Sequence, residues 1–148
     1  MLAVYLAFAL ALLLTQPMTR PLAGLLLGGA LIMMAGLIDD IWDISPRFKL
    51  LGQLLAAGVL LVFGIQIDFL TNPLGGMINL EEYQIWGIHI GLPLTVLWVV
   101  GITNALNLVD GLDGLAGGLA LIASLTLAVV GWSNEQMLIV GPSLVLAA

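Results

Sequence analysis

The sequence predicts an all-α polytopic membrane protein of about six transmembrane helices with one short extracytoplasmic hairpin, and three observations carry that expectation. Of its 148 residues 61% are hydrophobic and only 8% charged, with a mean hydropathy of +1.19, whereas a soluble domain is roughly half apolar and a quarter charged. Apolar runs recur along the chain, several of them near the roughly 20 residues that cross a hydrocarbon core. The polar and charged residues are confined to short segments between those runs, so no soluble domain or low-complexity linker interrupts them.

The first run, Leu2 to Leu14, lacks the charged start of a leader peptide. Gln16, Pro17 and Arg20 follow it in place of a small-residue cleavage site, so it reads as a span. The second is Leu22 to Ile38, in which Gly24 and Gly28 have the spacing that lets helices approach closely. The third, Leu50 to Ile67, is preceded by Ser45 and Pro46, a hydroxyl cap and a proline at the first helical position. Asp68 to Ile90, with Gly75, Gly76 and Asn79, reads as an outward-facing hairpin, and His89, Glu81 and Glu82 within it as surface groups. Gly91 to Leu108 and Leu115 to Gly131 are the fourth and fifth spans, Gly114 and Gly118 repeating the small-residue spacing. Met137 to Ala148 begins a sixth that stops short of a full crossing. Residues 1–148 therefore read as a single transmembrane domain, a fragment of a larger bundle truncated at both ends. Trp42, Trp86 and Trp132 fall near span ends, where aromatic belts sit.

The formal charge of −6, with Arg20, Arg47 and Lys49 as the only basic residues, excludes a nucleic-acid partner, which calls for clustered Lys and Arg. The absence of cysteine excludes disulfides and thiolate metal sites. Oxygen ligands and His89 are left for any metal, and a hard cation is favoured.

Five of the nine acidic residues lie in two short segments at the ends of apolar runs: Asp39, Asp40 and Asp43 in one, Asp110 and Asp113 in the other. Two spans separate the segments, so both face one compartment. Arg47 and Lys49 lie on that side and Arg20 opposite, a bias that marks the acidic side as cytoplasmic. Asp39 and Asp40 close one predicted helix while Arg47 and Lys49 occupy the first turn of the next. Both placements oppose the helix dipoles, and acids at a negative end suit a bound cation as bases beside free N–H groups suit a bound phosphate. In the second segment Asn104, Asn107, Asp110 and Asp113 recur every three residues, so neighbours share a helix face, and Gly111 and Gly114 permit a tight turn against a ligand. Carboxylates with amide oxygens are what Mg²⁺ accepts, usually alongside substrate phosphates, and phosphoryl transfer is their natural use.

At these residues the chain resembles the polyprenyl-phosphate N-acetylhexosamine-1-phosphate transferases, in particular the bacterial undecaprenyl-phosphate GlcNAc-1-phosphate transferase branch. Leu37 to Asp43, with Lys49-Leu50-Leu51-Gly52-Gln53, is similar to that family's Asp-Asp segment, and Asn104 to Gly118 to its Asn-Asn-Asp-Gly-Asp-Gly segment. The related phospho-MurNAc-pentapeptide transferases typically carry lysine where this chain has Asp43. The resemblance runs from about Ala23 to Gly131, although family members are roughly twice this length and carry further cytoplasmic segments.

The resemblance implies that Asp39, Asp40, Asp110 and Asp113 form the catalytic set, with Asp40, Asp110 and Asp113 as ligands of Mg²⁺ (or Mn²⁺ in its place). It implies that Asn104, Asn107, Lys49 and Arg47 bind substrate. The implied partners are a UDP-sugar, polyprenyl (undecaprenyl) phosphate and the lipid bilayer, with a homodimer as the candidate assembly. The implied reaction places a sugar 1-phosphate on the lipid phosphate and releases UMP at the cytoplasmic face of the inner (plasma) membrane, in cell-surface glycan synthesis. Direct attack by the lipid phosphate and prior attack by an aspartate both remain open. So do two other classes of function. A cation or proton transporter predicts carboxylates near midplane, and a non-catalytic membrane scaffold predicts folding without binding of nucleotide sugar.

Overall fold

A computed structural model of the chain describes residues 2–72, 74–109 and 115–147, the side chains of residues 137 and 138 excepted. Six α-helices lie among the described residues: α1 (Leu2–Thr15), α2 (Arg20–Trp42), α3 (Pro46–Val62), α4 (Gly91–Val109), α5 (Leu115–Ser133) and α6 (Met137–Ala147). By length and composition α2, with 23 residues, and α4 and α5, with 19 each, can cross a membrane; at about 1.5 Å per residue they measure roughly 28–35 Å. The shorter α3, at 17 residues, stands at the lower limit of about 17 for a crossing helix. The all-α membrane fold is as expected. The chain divides into two compact units, Thr19–Thr103 and Met1–Met18 with Asn104–Ala148.

In the first unit α2 and α3 form an antiparallel helix pair. Thr19 caps α2, its Oγ1 accepting the Leu22 N–H at 3.3 Å, and Pro21 sits in the first turn where its missing N–H costs nothing. The helices meet through small residues: Gly24 lies against Phe63, Gly28 against Leu60, and Gly52 against Ala35. Ala56 and Ala57 are fully buried and Gln53 nearly so. Larger side chains such as Leu27, Leu51 and Leu55 point outward, as a helix pair in lipid requires, because lipid gives no hydrophobic reason to bury them. The sequence-expected role of the Gly24/Gly28 pair in packing is therefore met. At one end of the pair Arg20 reaches across and donates to the Val62 carbonyl at 2.7 Å.

Two boundaries depart from expectation. The helix α2 continues past Ile38 to Trp42, which keeps Asp39 and Asp40 in its last turn, at the C-terminal helix end expected of them. The helix α3 starts at Pro46 and ends at Val62 instead of Ile67. There Gly64, at φ 84°, makes the reversal: the Ile65 N–H bonds to the Leu60 carbonyl at 2.9 Å and the Gly64 N–H to the Leu61 carbonyl at 3.0 Å. That is a Schellman closure, which continuing hydropathy through Ile67 conceals. Ser45 precedes Pro46 as expected, yet its hydroxyl makes no cap hydrogen bond. Its carbonyl instead accepts the Phe48 and Lys49 N–H groups, and water is a ready partner for the rest of this exposed first turn.

The segment between α3 and α4 holds two small hairpins where the sequence suggested one. Strand β1 (Phe69–Thr71) pairs antiparallel with β2 (Met77–Asn79), and after a single 3-10 turn at Leu80–Glu82, β3 (Gln84–Ile85) pairs with β4 (Ile88–His89). Thr95, only 4% exposed, ties this segment to α4: its hydroxyl donates to the Gly91 carbonyl at 2.7 Å and accepts the Ile67 N–H at 2.9 Å. Thr95→Val keeps the shape but orphans the Ile67 N–H. It is expected to cost about 1–3 kcal/mol, read as a lowered unfolding midpoint in detergent together with faster amide exchange at Ile67.

In the second unit α5 and α6 form a helical hairpin, and α1 packs on α6. Ser124, Ala128 and Gly131 form the buried stripe of α5, and Gly131 lies against Ile139 and Val140. The chain turns through another Schellman closure, the Gln136 N–H bonding to the Gly131 carbonyl at 2.8 Å, but here Glu135 takes the left-handed position at φ 59°. A left-handed residue with a Cβ is strained by roughly 1–2 kcal/mol, so Glu135→Gly is expected to raise the unfolding free energy by up to about that much, read in detergent unfolding. Gly118 has open space where a Cβ would stand, in contrast to the packing role expected of it, and its partner Gly114 lies outside the described residues.

Candidate active site

The end of the α2–α3 pair opposite Arg20 carries the first acidic segment. The last turn of α2 presents Asp39 and Asp40, and the helix stops because Asp43 enters the left-handed conformation (φ 46°, ψ 61°), its N–H bonding to the Asp39 carbonyl at 2.8 Å. Asp tolerates that conformation better than most side chains, so a residue inside the acidic motif is also the helix stop. Three residues later α3 begins, and in its first turn Lys49 Nζ meets Asp39 Oδ2 at 2.5 Å. The two charges that oppose their own helix dipoles thus neutralise one another across the turn.

The pair is sheltered, with the Asp39 side chain 19% exposed and that of Lys49 31%. The second oxygen, Asp39 Oδ1, is buried and has no hydrogen-bond partner among the described residues. A carboxylate oxygen removed from water without a partner is costly, and such an atom asks for a donor or a cation. Asp40, Asp43 and Arg47 are exposed beside it. The site therefore pairs a fixed, half-neutralised carboxylate with exposed charges of both signs. Lys49, which the resemblance assigns to substrate, is engaged with Asp39 in this structure.

The remaining site residues belong to the other compact unit. Asn104 and Asn107 stand three apart in the last turns of α4, both exposed and on one helix face, as their spacing predicted. Asp110 and Asp113 lie outside the described residues. Among the described residues no three His, Asp or Glu groups converge as a metal cage. Mg²⁺ takes only one or two carboxylates from a protein when substrate phosphates and water complete its shell, and the unsatisfied Asp39 Oδ1 with exposed Asp40 supplies donors of that kind. His89 is an exposed strand residue whose Nδ1 lies 2.9 Å from the Glu81 carbonyl, in keeping with a structural surface role.

Sequence reasoning missed the Asp39–Lys49 contact itself. The signal for it was the turn at Asp43 to Ser45, which folds α3 back along α2 and brings the first turn of one beside the last turn of the other. It also gave no role to Gln53, buried one turn beyond Lys49 on the same face of α3.

Fold and site together define an all-α membrane protein with a paired acidic and basic centre at the end of a helix hairpin. Residues 22–148 match the model of glycosyl transferase family 4, and the chain belongs to that family. It is 42% identical over 122 residues to a Bacillus subtilis (strain 168) protein named "Probable undecaprenyl-phosphate N-acetylglucosaminyl 1-phosphate transferase", covering 82% of this chain and 32% of that one. It is 39% identical over 137 residues to the decaprenyl-phosphate N-acetylglucosaminephosphotransferase of Mycolicibacterium smegmatis (strain ATCC 700084 / mc(2)155), covering 86% and 33%. A phospho-N-acetylmuramoyl-pentapeptide-transferase of Enterococcus faecalis (strain ATCC 700802 / V583) is 33% identical over 93 residues, 63% of this chain and 28% of that one. The chain spans about a third of the length of these curated relatives. No solved structure matches it.

Proposed function

We propose that this chain is the part of a polyprenyl-phosphate GlcNAc-1-phosphate transferase that carries both acidic segments of its active site, acting on UDP-GlcNAc and undecaprenyl phosphate at the cytoplasmic face of the plasma membrane. The observation that carries the proposal is Asp39, held through one oxygen by Lys49 and left with the other buried and unsatisfied. The names of the relatives add the substrate class.

In the reaction an oxygen of the lipid phosphate bonds to the sugar-proximal phosphorus, the bond from that phosphorus to the oxygen bridging it to UMP breaks, and UMP leaves. Such a transfer asks a protein for in-line positioning and charge neutralisation more than for covalent chemistry. Asp40, Asp110 and Asp113 would hold Mg²⁺, which when bound supplies positive charge to the diphosphate oxygens. Lys49 fixes Asp39 in one orientation, and Arg47 presents a cation to an incoming phosphate. Asn104 and Asn107 offer amide donors and acceptors from one helix face to the nucleotide sugar.

The carrier alternative requires carboxylates near midplane, whereas the described acidic residues of α2 lie in its last turn, and α4 and α5 hold none. The test is UMP release from UDP-GlcNAc and undecaprenyl phosphate in detergent, with and without Mg²⁺, by this chain and by versions extended at both ends. Mg²⁺-dependent UMP from either is the expected result. Silence from both, with intact folding, would overturn the proposal in favour of a scaffold.

A further inference from the structure

The β3–β4 hairpin carries a tryptophan where turn chemistry calls for something else. Its two-residue turn, Trp86-Gly87, has positive φ at both positions, 54° and 79°. Such turns favour asparagine, aspartate or glycine at the first position. Trp86 is strained there and is also 98% exposed, the largest apolar side chain of the segment placed at its outermost point. Ile85 and Ile88 on either side are 58% and 54% exposed, and no charged residue lies between Gln84 and Ile88. The β1–β2 hairpin repeats the arrangement, with Leu74 in its loop 95% exposed.

The hairpin is tethered to a membrane-crossing helix without a linker. The Ile90 N–H closes its base on the Tyr83 carbonyl at 3.1 Å, and the Ile90 carbonyl then accepts the Leu94 N–H as α4 begins at Gly91. Trp86 is five residues from that helix start, so the tip lies within about 17 Å of the point where α4 enters the bilayer. That reach includes the interfacial layer, where tryptophan's apolar ring and single N–H are both accommodated. Strand edges with free backbone groups keep the hairpin out of the hydrocarbon core.

We propose that this hairpin is an interfacial anchor whose Trp86 seats at the boundary between headgroups and acyl chains of the leaflet from which α4 enters. The occupant of the exposed tip is phospholipid, because the hairpin is continuous with α4, a helix long and apolar enough to cross a bilayer. Seating there removes the ring from water and fixes the outer end of α4 against rotation.

The experiment uses the chain reconstituted in phosphatidylcholine vesicles, with Trp42, Trp98 and Trp132 replaced by phenylalanine so that Trp86 alone emits. Emission shifted to the blue and quenched most strongly by bromine at shallow acyl positions is the expected result. Emission as red as tryptophan in water, or blue emission indifferent to brominated lipid, would overturn the proposal, the first by showing a solvated tip and the second a tip covered by protein. Should the triple replacement fail to fold, the same quantity is read in the four-tryptophan chain as the lipid-quenchable emission lost on Trp86→Asn, a substitution the turn accepts. Absence of any lost quenchable component again overturns it.

Discussion

Replacing Lys49 by methionine, or Asp40 by asparagine, is expected to lower Mg²⁺-dependent UMP release by at least about 100-fold, the loss typical of removing one preorganised charge from a reaction centre, but with different signatures in stability. Lys49→Met leaves the sheltered Asp39 carboxylate without its counter-charge. Breaking a fully buried pair costs about 3–5 kcal/mol, and partial exposure brings the expected cost here to about 2 kcal/mol. Adding Asp39→Asn removes the orphaned charge, so the double variant should recover most of the stability and none of the activity. Asp40 is exposed, and Asp40→Asn should leave the unfolding free energy within about 0.5 kcal/mol of the parent. The measurements are UMP release and detergent unfolding on the same four proteins, in whichever length of chain is active. Full activity in Asp40→Asn would remove that residue from the site. A Lys49→Met variant as stable as its double partner would show the ion pair to be incidental.

The second large effect is expected at Gly24. A Cβ there would overlap the Phe63 Cβ, an atom fixed to the backbone that no rotamer change can move aside, with Phe63 Cγ at 3.0 Å behind it. The ends of α2 and α3 must then part, which also stretches the 2.7 Å contact from Arg20 to the Val62 carbonyl. Gly24→Ala is expected to cost about 2–3 kcal/mol, the upper part of the overpacking range, and Gly24→Val more. Gly28 faces the movable end of Leu60 at 3.1 Å, so Gly28→Ala should cost about 1 kcal/mol. Gly58 has open space around it. Gly58→Ala is expected to be neutral or to gain up to about 1 kcal/mol from helix propensity. The order Gly24, Gly28, Gly58 in detergent unfolding is the observable, and equal costs at Gly24 and Gly58 would contradict the packing described.

What could be read from the sequence was what depends on composition along the chain. Six apolar runs became six helices because lipid leaves the backbone no partner but itself. Helix ends were less legible, since they are decided by single residues. Gly64 stops α3 while hydropathy continues to Ile67, and Asp43 and Glu135 occupy left-handed positions that carry no glycine signal. The acidic and basic residues of the first segment were identified one by one. Their partnership was not, because the Asp39–Lys49 contact exists only once α3 folds back along α2. The buried state of Asp39 Oδ1 is likewise a property of packing and has no trace in residue order. The nearness of Trp86 to a span was legible, but its place at a strained turn required the strand register.

The α2–α3 pair is pinned at both extremities, by Arg20 on Val62 at one and Lys49 on Asp39 at the other, with small residues interlocked between. A ratchet of one helix past its neighbour by one turn, about 5.4 Å, would undo both pins together. The pair is consequently a stiff beam. Any displacement of the pair relative to the segment that follows it has to be taken up by the Ile65 to Asp68 strap, while the beam swings as one piece.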